Sequence, residues 1–402
     1  MRRIEKEWMP MTRKKEAGFT LMETMVALVV LLAVSGVVMS GMMQMMKTEG
    51  TITNRTEMHT SVRSATELLE QEIGQAGKIS LPPPPPNWAW ALTTAVNVPA
   101  DTPVTPAGGV TFNVFDTTPT NLQVPVLFEG EWITVEAGAP PAVCPTCGRE
   151  TVQLTCLAGP GNCPNPSYTW GATFYYSHAP IAIPGTVTNG VPISVPGAFS
   201  TGIIPPGAGV MPAPPVGYAG YPVSPVNAPG QGSSGTVLKL YGDINGDGHM
   251  VYVEYTCVPG TPVAPGFLYR NQVNFWDLPV VPALGPSKII LNGVLTNPAN
   301  PAGGAVPCFT YQLQTREGVN AAAKDMAFVT DVAVTLTVQT QNPDPQVPLI
   351  NGQPNYQTET KALLNVSPRN VFNAYEFAFL DYLDRVQPTP MIIKSNTLPN
   401  YP

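Results

Sequence analysis

An uninterrupted apolar segment near the N-terminus constrains this chain more than any other feature. It runs from Phe19 to Met46 without Lys, Arg, Asp or Pro, and its one acid is Glu23. About 20 apolar residues suffice for a helix to span a bilayer. Because an ionised carboxylate at the centre of a bilayer costs roughly 2.5 to 3.5 kcal/mol, Glu23 needs a partner of opposite charge. The segment predicts a membrane helix that carries a functional acid.

The residues before this segment predict its orientation. The basic residues there include Arg2, Arg3, Arg13, Lys14 and Lys15. By the positive-inside rule they keep the N-terminus in the cytoplasm and send the rest of the chain across the membrane. A secretory signal peptide has its small-residue cleavage site after the apolar run, whereas Gly18 lies before it. Any cleavage is therefore expected on the cytoplasmic side.

The stretch "GFTLME", residues 18–23, follows a basic leader and opens the apolar helix. It resembles the prepilin cleavage and methylation motif of type IV pilins and type II secretion pseudopilins. The resemblance implies that a prepilin peptidase cuts after Gly18 and methylates the new amine of Phe19. It also implies that Glu23 pairs with the N-terminal amine of a neighbouring subunit during filament assembly. An ordinary signal anchor with a chance glutamate is the alternative.

Residues 47–80 continue the helical pattern, now with two different faces. Arg63 and Glu67 are one turn apart on one side of this helix. We expect the helix to run from Phe19 to about Gly77 and to end before the prolines at 82–86. The stretch "ELLEQEIGQAG" at its end resembles the helix end of PilW-like minor pilins. The apolar residues recur at steps of three or four and form one stripe: Met58, Val62, Ala65, Leu69, Ile73 and Ala76.

The remainder of the chain predicts a β-rich head. With 36 glycines, 47 prolines and 12% charged residues, the composition favours turns and strands over exposed helices. Residues 179–235 are dense in Pro, Gly and Ala, so we expect a long loop there. The closing runs "VTDVAVTLTVQTQ" and "TETKALLNVSPRNVFNAY" resemble the closing part of PilW-like proteins, in which Arg369 and Asn370 come after the last strand. Short alternating runs typical of strands occupy residues 110–115, 131–137, 172–177, 237–242, 250–258, 267–276, 288–295, 309–314 and 332–340.

These patterns give an α+β plan. A long N-terminal helix, transmembrane in its first half and amphipathic in its second, packs on a globular head rich in β structure, Pro and Gly, as in pilins. The expected parts are a leader peptide at 1–18, a membrane or filament-core helix at 19–46, an amphipathic helix at 47–80 and an exported head at 81–402.

Residues 243–254 fit the calcium-loop pattern D-x-[DN]-x-[DN]-G-x5-E. Asp243, Asn245 and Asp247 would supply side-chain oxygens, His249 a backbone carbonyl and Glu254 a bidentate carboxylate. A strand-like run follows the loop where an EF-hand has its exit helix. We therefore expect an isolated calcium loop on a β scaffold, and a glycine-rich hairpin turn with coincidental acids is the alternative.

The chain has six cysteines: Cys144, Cys147, Cys156, Cys163, Cys257 and Cys308. A zinc site and a redox-active Cys144–Cys147 pair are both compatible with part of this spacing. Export and the even count favour disulfides instead. We expect two bridges within residues 144–163 and a third between Cys257 and Cys308.

Charge and motifs bound the function. The net charge of -7, with tight basic clusters only in residues 1–15, argues against a direct nucleic-acid partner. The chain lacks H-E-x-x-H, G-x-S-x-G and phosphate-binding glycine motifs, so we do not expect an enzyme.

The resemblance implies a minor pilin of a type IV pilus that acts as a low-copy initiating or tip subunit. Its implied partners are other pilin subunits, prepilin peptidase and the inner-membrane assembly platform. Its implied location is the inner membrane before assembly and the periplasm or cell-surface pilus afterwards. A minor pseudopilin of a type II secretion system is the nearest alternative. A membrane-anchored adhesin or binding module is an alternative of another class.

Overall fold

The computed structural model describes residue 18 and residues 20–99, 102–113, 127–140, 142–159, 169–206, 232–275, 284–316, 326–347 and 354–393. Within these residues a long N-terminal helix is followed by a β-rich region. The predicted α+β class with a pilin-like arrangement of elements is confirmed.

The first helix, α1, spans Leu21–Gln75, and a second helix, α2, spans Arg369–Phe379. The strands are β1 (Ala91–Leu92), β2 (Val110–Thr111), β3 (Trp132–Val135), β4 (Glu150–Gln153), β5 (Thr169–Trp170), β6 (Ile181–Ala182), β7 (Asn189–Ser194), β8 (Ala198–Phe199), β9 (Val237–Gly242), β10 (Val251–Val258), β11 (Gly266–Asn274), β12 (Ile289–Leu295), β13 (Phe309–Arg316), β14 (Met326–Gln339), β15 (Thr358–Val366) and β16 (Val386–Gln387).

Two antiparallel sheets contain most of these strands. A seven-stranded sheet has the order β13-β14-β12-β11-β10-β9, and β15 pairs with β14. A five-stranded sheet has the order β1-β7-β3-β4, and β6 pairs with β7. The strands β2 and β5 form a small antiparallel pair, while β8 and β16 form a parallel one.

The chain divides into two compact units. The first consists of residues 1–56 and 342–355, where the Thr51 hydroxyl donates to the Asp344 carboxylate over 2.7 Å. The second consists of residues 57–341 and 356–402 and contains both sheets.

Within the second unit, the C-terminal part of α1 packs on the seven-stranded sheet. The predicted stripe from Met58 to Ala76 is buried in one apolar cluster together with Leu240, Val253 and Val334 of the sheet. This outcome confirms the stripe, and the Arg63–Glu67 pair is also present, with 2.6 Å between Nε and Oε1. Burial of the stripe stabilises a helix whose Gly74 weakens its last turn.

The end of α1 has a specific cause. Gly77 has a φ of +81°, the left-handed conformation that commonly follows a helix and that glycine adopts without strain. Its amide donates to the Tyr241 carbonyl over 2.9 Å, and the Asn370 side chain donates to the carbonyl of Gln75 over 3.1 Å. These bonds satisfy polar groups that the last helical turn leaves open.

The structure corrects the expected loop at 179–235. The strands β6, β7 and β8 lie inside that range. β7 is an inner strand of the five-stranded sheet, and its Val191 and Ile193 side chains are buried. The proline and glycine content of the range hides this short alternating pattern. Residues 207–231 of the predicted loop lie outside the described residues.

One further expectation differs from the structure. Residues 172–177 were expected to form a strand, but they make only isolated bridges, such as Val104 with Phe174. The resemblance placed Arg369 and Asn370 after the last strand, and β15 does end at Val366, while residues 369–379 form α2. Val371, Ala374 and Ala378 recur at helical spacing and are buried.

Candidate functional site

The first turn of α1 has the geometry of a capped helix start. The amide of Glu23 donates to the Thr20 hydroxyl over 3.3 Å and to the Thr20 carbonyl over 3.0 Å. Thr20 and Glu23 thus match the sequence pattern of a capping box. A carboxylate in the first turn is also favoured by the helix dipole. Contacts within the first turn therefore favour a glutamate at position 23 even without a partner molecule.

The Glu23 side chain is exposed, as is Gly18. Phe19, whose amine the sequence motif would expose after cleavage, lies outside the described residues. An exposed carboxylate in the first turn can form an ion pair with a cation of another molecule without disturbing the helix. This is the arrangement that an intermolecular contact at the N-terminus would use.

The surface that follows is strongly apolar. Each large apolar side chain between Leu21 and Met46 is more than half exposed, with Val30 the least at 54%. The helix is long and apolar enough to cross a membrane. An exposed apolar surface of this extent is typical of a membrane or protein contact. The helix also runs through Gly36 and Gly41 without a break.

The second unit holds residues 57–75 of α1 with a buried polar contact as well as apolar packing. Glu72, 6% exposed, accepts hydrogen bonds from Arg270 Nε at 3.0 and 3.1 Å and another from the Tyr255 hydroxyl. Burial alone lowers the pKa of Arg270, but the Glu72 hydrogen bonds and charge outweigh it and raise that pKa. Arg270 therefore stays charged, and its contacts with Glu72 fix this part of α1 on the sheet.

Sequence reasoning missed the Glu72–Arg270 pair, although a signal for it was present. Glu72 lies three residues after Leu69 and four before Ala76, so it is an acid within the apolar stripe. A buried acid in such a position calls for a cationic partner. The position of that partner on β11 depends on strand order, which a sequence does not give.

The predicted calcium loop forms the turn between β9 and β10. Its first acid, Asp243, is 1% exposed, and its carboxylate receives Lys78 Nζ at 2.7 Å and the Gly248 amide at 3.2 Å. Burial raises the pKa of Asp243, but these hydrogen bonds and the Lys78 charge together lower it below its ordinary value. Gly246 and Gly248 have φ values of +71° and +88°, which explains the glycines of the motif.

The other predicted ligands are distributed along the turn and the strand. Asn245, Asp247 and His249 are exposed, and the Asp247 carboxylate accepts the His249 amide at 2.9 Å. Glu254 lies three residues beyond Val251 on β10, about 10 Å along the strand, and accepts the Tyr252 hydroxyl. Among the described residues, no group of three or more His, Cys, Asp or Glu side chains is close enough together to hold a metal ion. Calcium at this loop would require Lys78 to leave Asp243.

Two disulfides are described completely. Cys144 is bonded to Cys147, and Cys257 is bonded to Cys308. Cys156 is also disulfide-bonded, while Cys163 lies outside the described residues. The Cys257–Cys308 bridge ties β10 to the residue before β13.

A buried pair near the first disulfide was not anticipated from the sequence. His178, which is fully buried, lies with Nε2 2.8 Å from Glu150 Oε1 and with Nδ1 3.1 Å from the Glu136 carbonyl. The Glu150 carboxylate also accepts the amides of Tyr175 and Tyr176. These contacts organise the end of the five-stranded sheet, and no sequence motif marks them.

Comparison with known protein families identifies the N-terminal segment. Residues 13–39 match the family described as "Prokaryotic N-terminal methylation motif". No curated protein and no solved structure is significantly similar to the chain. The match supports a prepilin of the type IV pilin or pseudopilin kind, processed by a prepilin peptidase and anchored in a membrane before it assembles with other pilins.

Proposed function

We propose that this chain is a PilW-like minor pilin of a type IV pilus and that it assembles through α1 as a low-copy initiating or tip subunit. The observation that carries the proposal is the contrast along one helix. Residues 21–46 expose their apolar side chains, whereas the stripe from Met58 to Ala76 is buried in the second unit. The exposed part is available to other subunits, and the buried part holds the head.

Assembly then has a clear driving force. Within the membrane, lipid covers the apolar residues 21–46. When the subunit leaves the bilayer, the same surface must be covered by helices of neighbouring subunits, because its exposure to water costs about 25 cal/mol for each Å². This requirement couples extraction from the membrane to packing in the filament.

Glu23 adds specificity to this packing. Between apolar helices its carboxylate needs a cation, and the new N-terminal amine of a neighbour's Phe19 supplies one. Such a pair is tolerable in an apolar environment because each charge neutralises the other. Its fixed position in the first turn would set the axial register between two helices.

The size of the head supports a low copy number. The predicted head covers residues 81–402, and a subunit of that size is poorly suited to tile an entire shaft. We place the N-terminus in the cytoplasm and the head in the periplasm before assembly, from the basic residues that precede the apolar segment. The proposed role is structural, without catalysis.

The test is a Glu23→Ala variant in the native organism, with Glu57→Ala as the matched control. Both residues are exposed acids on α1, but Glu57 lies outside the apolar segment. We expect Glu23→Ala to be processed and to remain in the membrane, yet to be missing from sheared filaments and to reduce piliation. Glu57→Ala should behave as wild type. Normal recovery of Glu23→Ala in filaments would contradict the assembly role.

The same strains distinguish the alternatives. Loss of pili and twitching with normal protein secretion supports the pilus, whereas loss of secretion alone would identify a minor pseudopilin of a type II secretion system. If both processes persist while binding of cells to surfaces depends on the head, the chain is a membrane-anchored adhesin.

A further inference from the structure

The two completely described disulfides differ in their access to solvent. Cys257 and Cys308 are 2% and 3% exposed and belong to the main apolar cluster under the seven-stranded sheet. Cys144 and Cys147 are only half-buried. Thiol–disulfide exchange requires an attacking thiolate to reach a sulfur atom, so access favours reaction at Cys144–Cys147.

The two bridges also close loops of very different length. Cys144 and Cys147 are separated by 3 positions in the sequence, and Cys257 and Cys308 by 51. In the chain-entropy model a short loop restrains the unfolded chain less than a long one. Opening Cys144–Cys147 is therefore expected to destabilise the fold less than opening Cys257–Cys308.

The loop that the short bridge closes contacts a neighbouring segment. In the loop 142–148, the Thr146 hydroxyl donates to the Ser177 hydroxyl over 3.0 Å, and the Thr146 carbonyl accepts the Ser177 amide. A Cβ atom at Gly148 would lie 2.6 Å from the Tyr176 ring, so a glycine is needed for this close approach. The bridge thus closes the loop that makes this small contact with Ser177 and Tyr176.

The segment under this loop is rigidly held by other groups. Glu150 accepts the amides of Tyr175 and Tyr176 and contacts the buried His178, while Ser177 accepts the Val98 amide. None of these contacts depends on the disulfide. Opening the bridge would therefore release the loop and leave the supporting segment in place.

We propose that Cys144–Cys147 is a thiol–disulfide exchange site that an exported dithiol protein opens, and that the disulfide form of the same protein closes by the reverse exchange, while Cys257–Cys308 stays intact. A thiolate of the dithiol attacks one sulfur, which forms a mixed disulfide and releases the other cysteine as a thiolate that takes a proton. The second thiol of the partner then displaces the remaining cysteine. The partner leaves as a disulfide, and Cys144 and Cys147 are left as two thiols.

The test uses the full-length oxidised protein in detergent. It is incubated with increasing dithiothreitol or with a purified thioredoxin-type dithiol protein, then alkylated, digested and analysed by mass spectrometry. We expect alkylation of Cys144 and Cys147 roughly ten times faster than alkylation of Cys257 and Cys308 with either reductant. Hydrogen exchange should rise in residues 142–148 and stay unchanged in the buried core.

A Cys144→Ser/Cys147→Ser variant provides the control. It should fold, keep the Cys257–Cys308 bridge and show the fast hydrogen exchange of residues 142–148 without any reductant. Equal or faster opening of Cys257–Cys308 would overturn the proposed site. Opening by dithiothreitol but not by the dithiol protein would overturn the proposed partner. Unchanged hydrogen exchange in residues 142–148 after reduction would overturn the proposal that the bridge restrains this loop.

Discussion

Glu72 of α1 and Arg270 of β11 form a largely buried ion pair, in which the guanidinium Nε contacts both carboxylate oxygens at 3.0 and 3.1 Å. The residues are 198 positions apart in the sequence, so the pair joins the helix directly to the middle of the seven-stranded sheet. Force on an assembled subunit would pass between helix and head through contacts of this kind.

A Glu72→Gln substitution should destabilise the second unit by about 2 to 3 kcal/mol, because it leaves a poorly solvated guanidinium without its charged partner. Urea denaturation of the full chain in detergent measures the change. Glu67→Gln on the same helix is the control. Its partner Arg63 is 79% exposed, so we expect no measurable loss of stability. Equal effects of the two substitutions would contradict the anchoring role of Glu72.

Replacement of Glu131 is expected to stabilise the protein, in contrast to replacement of Glu72. Its side chain is 1% exposed, and burial raises its pKa well above the ordinary value despite a hydrogen bond from the Phe128 amide. The folded state therefore binds a proton more tightly than the unfolded state. The contribution of Glu131 to stability is then greatest below about pH 4.3 and falls as pH rises towards the raised pKa.

Glu131→Gln should remove this loss and make the protein more stable than wild type at pH 7. The amide retains an oxygen that can accept the Phe128 amide. Thermal unfolding of wild type and variant between pH 4 and pH 8 is the measurement, and the gap between them should widen with pH. A gap that does not change with pH would show that Glu131 is not protonated in the fold.

We propose that the 243–254 turn binds calcium when Lys78 leaves Asp243. Competition between the ammonium and the ion predicts that Lys78→Met strengthens calcium binding and that Asp247→Asn weakens it. Isothermal titration calorimetry of the full chain in detergent tests both changes. The absence of calcium-dependent heat from wild type and from Lys78→Met would rule out the site. Lys78 would then be the group that neutralises Asp243 in this turn.

The periodic features of the fold could be predicted from the sequence because they follow from local spacing. Steps of three and four residues gave the buried stripe of α1, and alternation gave strands such as β9 and β10. The pattern in β7 was hidden because Pro192 and neighbouring glycines resemble a loop, although pairing with β1 and β3 stabilises the strand.

The long-range polar contacts could not be predicted in this way. The pairs Lys78–Asp243 and His178–Glu150 join positions that only tertiary packing brings together. The calcium pattern likewise specifies residue types but not geometry, since a strand rather than a helix follows the loop and carries Glu254 away from Asp243. For the N-terminal motif, in contrast, the information is local, and six consecutive residues suffice to indicate it.

The most direct test of the central claim is the mass of the N-terminal peptide of protein recovered from its native membrane. We expect a peptide that begins at Phe19 and carries one added methyl group on its amine. An intact leader that still precedes Gly18 would contradict processing as a prepilin and would identify α1 as a permanent membrane anchor.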